Sequence, residues 1–123
     1  MQHSNEFMQL CDEARAQIEE VSVDEVAQML DNNELPVLID VRETAEFVAG
    51  HIPQAKHLSR GIIEIHVHKL IPTKDTPAIL YCGGGNRSAL SAANLKKMGY
   101  NHVKSMAGGV RGWHAAGYEF VKD

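Results

Sequence analysis

The segment Tyr81-Cys82-Gly83-Gly84-Gly85-Asn86-Arg87-Ser88 concentrates the residue types that do chemistry. A cysteine is followed by three glycines and then by a polar run able to open a helix. The glycines let the backbone curl until consecutive N–H groups point at one spot, forming an anion-binding nest. A helix starting near Arg87 would aim its positive end at the same spot. A sulfur in that cradle is favoured as thiolate, the nucleophilic form, without a histidine base beside it. Arg87 adds positive charge, either facing the site or bracing the loop from behind. Ser88 can cap the helix or donate to a bound sulfur. Cys82 is therefore the nucleophile candidate, whereas Cys11, on an apolar helix face, reads as a buried inert thiol.

Other glycine-loop chemistries fail on spacing. A mononucleotide P-loop requires Gly-Lys-Ser/Thr, and the lysine is missing. A dinucleotide fingerprint requires a third glycine where Ser88 stands and an acid about 20 residues on, where His102 to Lys104 has none. Four residues separate Cys82 from Arg87, one fewer than in a cysteine-phosphatase loop, and the smaller ring suits a sulfur better than a phosphoryl group. His66-Val67-His68 matches no zinc pattern, and residues two apart on a helix point in different directions. No metal site is expected.

Alternating periodicities supply the elements that must position Cys82. Phe7, Leu10, Cys11, Ala14 and Ile18 recur at helical spacing. Ile18 to Val21 reads as a short strand. Ser22 and Glu25 form a capping box for a helix that ends at Asn32-Asn33. Pro36 to Val41 and Pro77 to Tyr81 are apolar runs of the buried-parallel-strand kind. Thr44 to Val48 predicts a short helix, Ala55 to Leu58 a strand, and Gly61 to Leu70 one helix stopped by Pro72. Ser88 to Met98, His102 to Met106 and Val110 to Ala116 predict helix, strand and helix. Strands alternating with helices imply an α/β fold, a mostly parallel central sheet with helices on both faces. Ligands bind such sheets at the carboxyl ends of the strands. Asp40-Val41-Arg42, Cys82 to Ser88 and Ala107 to Gly112 should meet there.

Composition narrows the classes further. The 123 residues are 44% hydrophobic and 23% charged, enough for one domain and too apolar for a disordered tail. No apolar run approaches the roughly 20 residues of a membrane span. The first residues lack a basic start and an apolar core, so no secretory leader is expected, and a cytoplasmic location with reduced thiols follows. A net charge of −4 argues against nucleic acid as a partner.

The ordered motifs resemble the single-domain rhodanese family. Asp40-Val41-Arg42-Glu43 with Glu46-Phe47 is similar to the family's first signature. Gly50-His51-Ile52-Pro53-Gln54-Ala55 is similar to its second, with Gln54 where glycine is usual. Cys82 to Ser88 resembles its catalytic loop, and Gly108-Gly109-Val110-Arg111-Gly112-Trp113 its closing signature. The resemblance implies a rhodanese-like domain over 20–123, with 1–19 a helical extension. It also implies a sulfurtransferase carrying sulfane sulfur on Cys82 from a small anionic donor, such as thiosulfate or a persulfide, to cyanide or a thiol, with no cofactor. The loop Gly83, Gly84, Gly85, Asn86, Arg87 and Ser88 would bind the persulfide. Asp40 would accept from loop amides or pair with an arginine, Arg42 would pair with Glu46, and Arg60 would reach the pocket rim. A non-enzymatic sulfur-carrier or protein-binding module, acting with a sulfur-relay protein, stays open as an alternative. So, further off, does a phosphatase or arsenate reductase.

The net charge hides a split. Residues 1–50 hold 12 acids against 2 Lys+Arg, while residues 51–123 hold 4 acids against 10. Cys82, Arg60, Arg87 and Arg111 all lie in the basic part, which predicts a positive field at the pocket mouth. The kcat/KM for an anionic donor should therefore fall as ionic strength rises. A flat profile from low to high salt contradicts that field.

Overall fold

Strand-forming runs with apolar residues on successive positions need cover on both faces, and the chain supplies it. In the computed structural model, which describes residues 3–122, five strands form one sheet. They are β1 (Glu19–Val21), β2 (Val37–Asp40), β3 (Lys56–His57), β4 (Ala78–Tyr81) and β5 (Val103–Met106). Their order is β1-β5-β4-β2-β3, and every pairing is parallel. Six helices accompany them: α1 (Asn5–Arg15), α2 (Val23–Asp31), α3 (Thr44–Ala49), α4 (Ile63–His66), α5 (Asn86–Lys97) and α6 (Gly109–Ala115). Residues 1, 2 and 123, at the ends of the two expected units, lie outside the described residues.

The pleat divides the core. Ile39 and Leu80 point to one side, where they pack with Ile63, Val67, Ala92 and Leu95 beneath α4 and α5. Leu38, Ile79 and Tyr81 point to the other and pack with Val26, Val110 and Trp113 of α2 and α6. A third cluster lies outside the sheet, where Cys11 and Ala14 of α1 meet Ala89, Leu90 and Ala93 of α5. The small alanines let the two helices approach closely. Cys11 is fully buried there, and burial pushes its thiol upward, as suits an inert packing residue.

Local signals explain most boundaries. The capping box of α2 forms as spaced, Glu25 N donating to Ser22 Oγ at 3.0 Å and Ser22 N to Glu25 Oε1 at 3.0 Å. One element departs from the periodicity. The single helix expected over 61–70 is instead a 3-10 turn at Arg60–Ile62, the one-turn α4, and a second 3-10 turn at Val67–Lys69. Four β-branched residues in that stretch weaken a helix. Burial of Ile63, Val67 and Ile71 at four-residue intervals pins the segment regardless.

At the carboxyl end of β2, Asp40 is fully buried, and Arg42 answers it twice over. Arg42 Nε and Nη2 donate to its two carboxylate oxygens at 3.0 and 2.8 Å, and Arg42 N donates at 2.9 Å. Nη2 also donates to Gly50 O at 2.6 Å, tying β2 to the segment before β3. Removing one partner of such a pair strands a buried charge. Arg42→Ala should cost about 3–5 kcal/mol in denaturant unfolding, and a loss below about 1 kcal/mol contradicts this role.

Candidate active site

Cys82 leaves the end of β4 into the glycine loop, and α6 fixes the shape of that loop. Val110 N donates to Cys82 O and Arg111 N to Gly83 O, both at 2.9 Å. With the carbonyls of Cys82 and Gly83 held by α6, the loop turns N–H groups inward. Gly85 N donates to Cys82 Sγ at 3.1 Å and Ser88 N at 3.4 Å. Gly85 precedes α5 with a φ of 102°, a left-handed conformation that glycine adopts without strain. At Gly84 the guanidinium of Arg111 lies across the position a Cβ would take, and this flexible side-chain end could move aside for one.

A hydroxyl completes the cradle. Ser88 Oγ lies 3.5 Å from Sγ, and Ser105 Oγ of β5 donates to Ser88 Oγ at 2.8 Å. Because Ser88 accepts from Ser105, its own proton is directed to the sulfur. All three residues are buried, so these donors act in a medium where such bonds are strong. Gly85, not Ser88, caps α5; Ser88 sits within the helix and serves the sulfur.

The pocket above Cys82 has a volume of about 750 Å³, and Arg87, Arg111, Glu46, Phe7 and His3 are among its walls. Arg87 both lines the pocket and is engaged from the side. Its Nη1 and Nη2 donate to Glu46 Oε1 and Oε2 at 2.7 and 3.2 Å. That bidentate pair raises the Arg87 pKa and lowers that of Glu46, the hydrogen bonds being the larger cause in each. Arg111 has no carboxylate partner among the described residues. Asn86 accepts a hydrogen bond from Arg15 of α1, which anchors the start of α5.

Two expectations about arginines need correction. Arg42 pairs with Asp40 rather than with Glu46, because the buried carboxylate two residues back has the stronger claim on it. Asp40 is thereby committed to an arginine and not to the glycine-loop amides. Arg60 does not reach the rim of the Cys82 pocket. It lies instead beside Leu10, Ala14, Leu90 and Lys97 in a separate groove between α1 and α5. Sequence reasoning passed over Ser105, a lone hydroxyl in an otherwise ordinary strand. It also missed Phe7 and His3, whose signal was only an apolar helix face.

With the geometry in hand, the comparisons agree. Residues 22–116 match the rhodanese-like domain, and the chain belongs to that family. A sulfurtransferase of Allochromatium vinosum is 32% identical over 104 residues, covering 85% of this chain and 95% of its own. A structure from Rhodopseudomonas palustris, described as a protein of unknown function and possible tyrosine phosphatase, superposes with a TM-score of 0.86. It is 25% identical and covers 98% of each chain. The polysulfide-sulfur transferase homodimer of Wolinella succinogenes gives a TM-score of 0.78 at 26% identity, over 96% of this chain and 88% of that one. The family and the sulfurtransferase relatives support sulfur transfer in general. Among the described residues no helix is long and apolar enough to cross a membrane, and no three His, Cys, Asp or Glu side chains gather as metal ligands would.

The Glu46–Arg87 pair sets a pH signature. A lowered folded-state pKa means the pair stabilises above the ordinary glutamate value of 4.5 and stops doing so as pH falls through the folded value. The unfolding free-energy difference between wild type and Glu46→Gln should therefore hold its full value above pH 4.5 and shrink as the pH falls below it. A difference independent of pH contradicts the pairing.

Proposed function

We propose that the chain is a sulfurtransferase that carries sulfane sulfur as a persulfide on Cys82. The observation that carries this reading is the convergence of Gly85 N, Ser88 N and Ser88 Oγ on one sulfur atom. Donors aimed at a sulfur stabilise its anionic form, and they hold a terminal persulfide sulfur by the same electrostatic logic as an oxyanion hole.

In the first half-reaction the Cys82 thiolate attacks the outer sulfur of the donor. A bond forms between Sγ and that sulfur, and the donor's S–S bond breaks. The electron pair leaves on sulfite when thiosulfate is the donor, or on a thiolate when a persulfide is. In the second half-reaction a nucleophilic acceptor attacks the outer sulfur of the Cys82 persulfide and returns the thiolate. Cyanide serves as the acceptor in an assay, a thiol or a sulfur-relay protein in the cell. This is ping-pong covalent catalysis without a cofactor. The glycine loop, Asn86 and Arg87 shape the cradle, and Arg42 with Asp40 holds the neighbouring strand end. Arg111 supplies an unmatched positive charge for the donor. A cytoplasmic setting, where thiols stay reduced, suits this chemistry.

The pairing of Arg87 with Glu46 favours sulfur transfer over the tyrosine-phosphatase description of one structural relative. Phosphoryl transfer wants a guanidinium fork free to clamp phosphate oxygens, and the fork of Arg87 is occupied by Glu46.

Wild-type protein supplied with thiosulfate and cyanide should release thiocyanate, and Cys82→Ser should lose that activity by about a thousandfold or more. Equal turnover by the variant contradicts the reading. Cys82-dependent hydrolysis of an aryl phosphate without thiocyanate formation would favour the phosphatase instead.

A further inference from the structure

Helix α1 precedes the region that matches the family, which starts at residue 22, yet it forms part of the pocket. Its first turn carries Phe7, and His3 lies just before it. Both line the same cavity as Cys82, their rings 5.0 Å apart. Ser4 caps the helix between them, accepting from Phe7 N at 3.1 Å. The helix is fixed there from three sides. Cys11 and Ala14 pack on Ala89 and Ala93 of α5, Arg15 binds Asn86 of the catalytic loop, and Lys96 Nζ donates to Gln17 O at 2.6 Å. Phe7 itself rests half-buried against that cluster, with the remainder of the ring facing the cavity.

The walls so assembled are of two kinds. Phe7 and Val110 are apolar, and His3 is aromatic. Among the described residues, Arg111 is the cation of the pocket whose charge no carboxylate answers, since Arg87 is matched by Glu46 and Arg42 by Asp40. A volume of about 750 Å³ falls within the range of sites for small organic ligands. It is far more than a five-atom inorganic anion fills. An apolar wall gives such an anion nothing, because desolvating charge against a phenyl ring is unfavourable. The same wall buries the carbon skeleton of an organic thiol, while Arg111 takes its carboxylate.

We propose that α1 is the specificity wall of the active site, with Phe7 its principal contact. The pocket it closes selects an organic persulfide bearing a carboxylate over inorganic thiosulfate. This rests on the sulfurtransferase reading above and names its donor class. The step is balanced: the Cys82 thiolate attacks the terminal sulfur of R–S–SH, the new Sγ–S bond replaces the donor's S–S bond, and R–S⁻ departs with the electron pair. The neutral sulfur atom and its proton move to Cys82, and no oxidant or reductant is consumed.

The test uses the whole chain, glutathione persulfide and thiosulfate as alternative donors, and cyanide as the common acceptor. Wild type should prefer glutathione persulfide in kcat/KM. Phe7→Ala should cut the ratio of the two kcat/KM values by about tenfold. Phe7→Leu, which keeps bulk against the cluster between α1 and α5, should cut it less and guards against a folding defect, read from its thermal transition. Phe7→Ala values that fall together for both donors, or that do not fall, overturn the specificity wall. If neither donor loads sulfur on wild-type Cys82, the sulfurtransferase reading itself fails and takes this inference with it. Loading by thiosulfate alone overturns the donor class and leaves the sulfurtransferase reading standing.

Discussion

Two backbone hydrogen bonds organise the site, those from Val110 N and Arg111 N of α6 to the carbonyls of Cys82 and Gly83. A loop of three glycines has no intrinsic reason to keep one conformation, since glycine loses more freedom on ordering than any other residue. The α6 amides supply that reason. They take up loop carbonyls that would otherwise be unpaired, so the neighbouring amides turn toward Cys82 Sγ. The approach is so close that a Cβ on Gly109 would lie 2.5 Å from Cys82 O. Position 109 therefore admits only glycine, and the last motif in the chain is bound sterically to the Cys82 loop 27 residues earlier.

Charge in the pocket follows from the same packing. The uneven distribution of acids and bases suggests a site held by the basic part of the chain alone, and this is half of what the structure contains. Glu46 and Asp40, both from the acidic part, each neutralise an arginine at the sheet edge. Those pairs position backbone and leave Arg111 as the cation open to a ligand. The positive field in the pocket is thus narrower than a count of basic residues implies. It is focused on one guanidinium that lies across Gly84.

Much of this was legible in the residues. The parallel sheet followed from the apolar runs Pro36 to Val41 and Pro77 to Tyr81, which leave no polar face for water. The convergence of three loops followed from placing those runs in a parallel order. The Cys82 cradle followed from glycine chemistry. Partners across space were harder to read. Arg42 has acids two and four residues away, at Asp40 and Glu46, and spacing alone favours the helical neighbour. Burial of Asp40 decides for the other, and burial is a property of the assembled core. Arg60 was equally hard to place, because it opens the first of two 3-10 turns around a single helical turn and lies in the groove between α1 and α5. Phe7 and His3 escaped notice because α1 shares no motif with the loop it covers. The packing of Cys11 and Ala14 against α5, with the bonds of Arg15 to Asn86 and Lys96 to Gln17, brings them there.

The central claim is that Cys82 sits in a cradle built to hold a second sulfur. The most direct measurement is the intact mass of the protein after exposure to a sulfane donor, followed by peptide mapping and cyanide treatment. The account predicts a gain of one sulfur atom, located on the peptide containing Cys82, removed by cyanide with release of thiocyanate. An unchanged mass with every donor, or added sulfur located on Cys11, contradicts it.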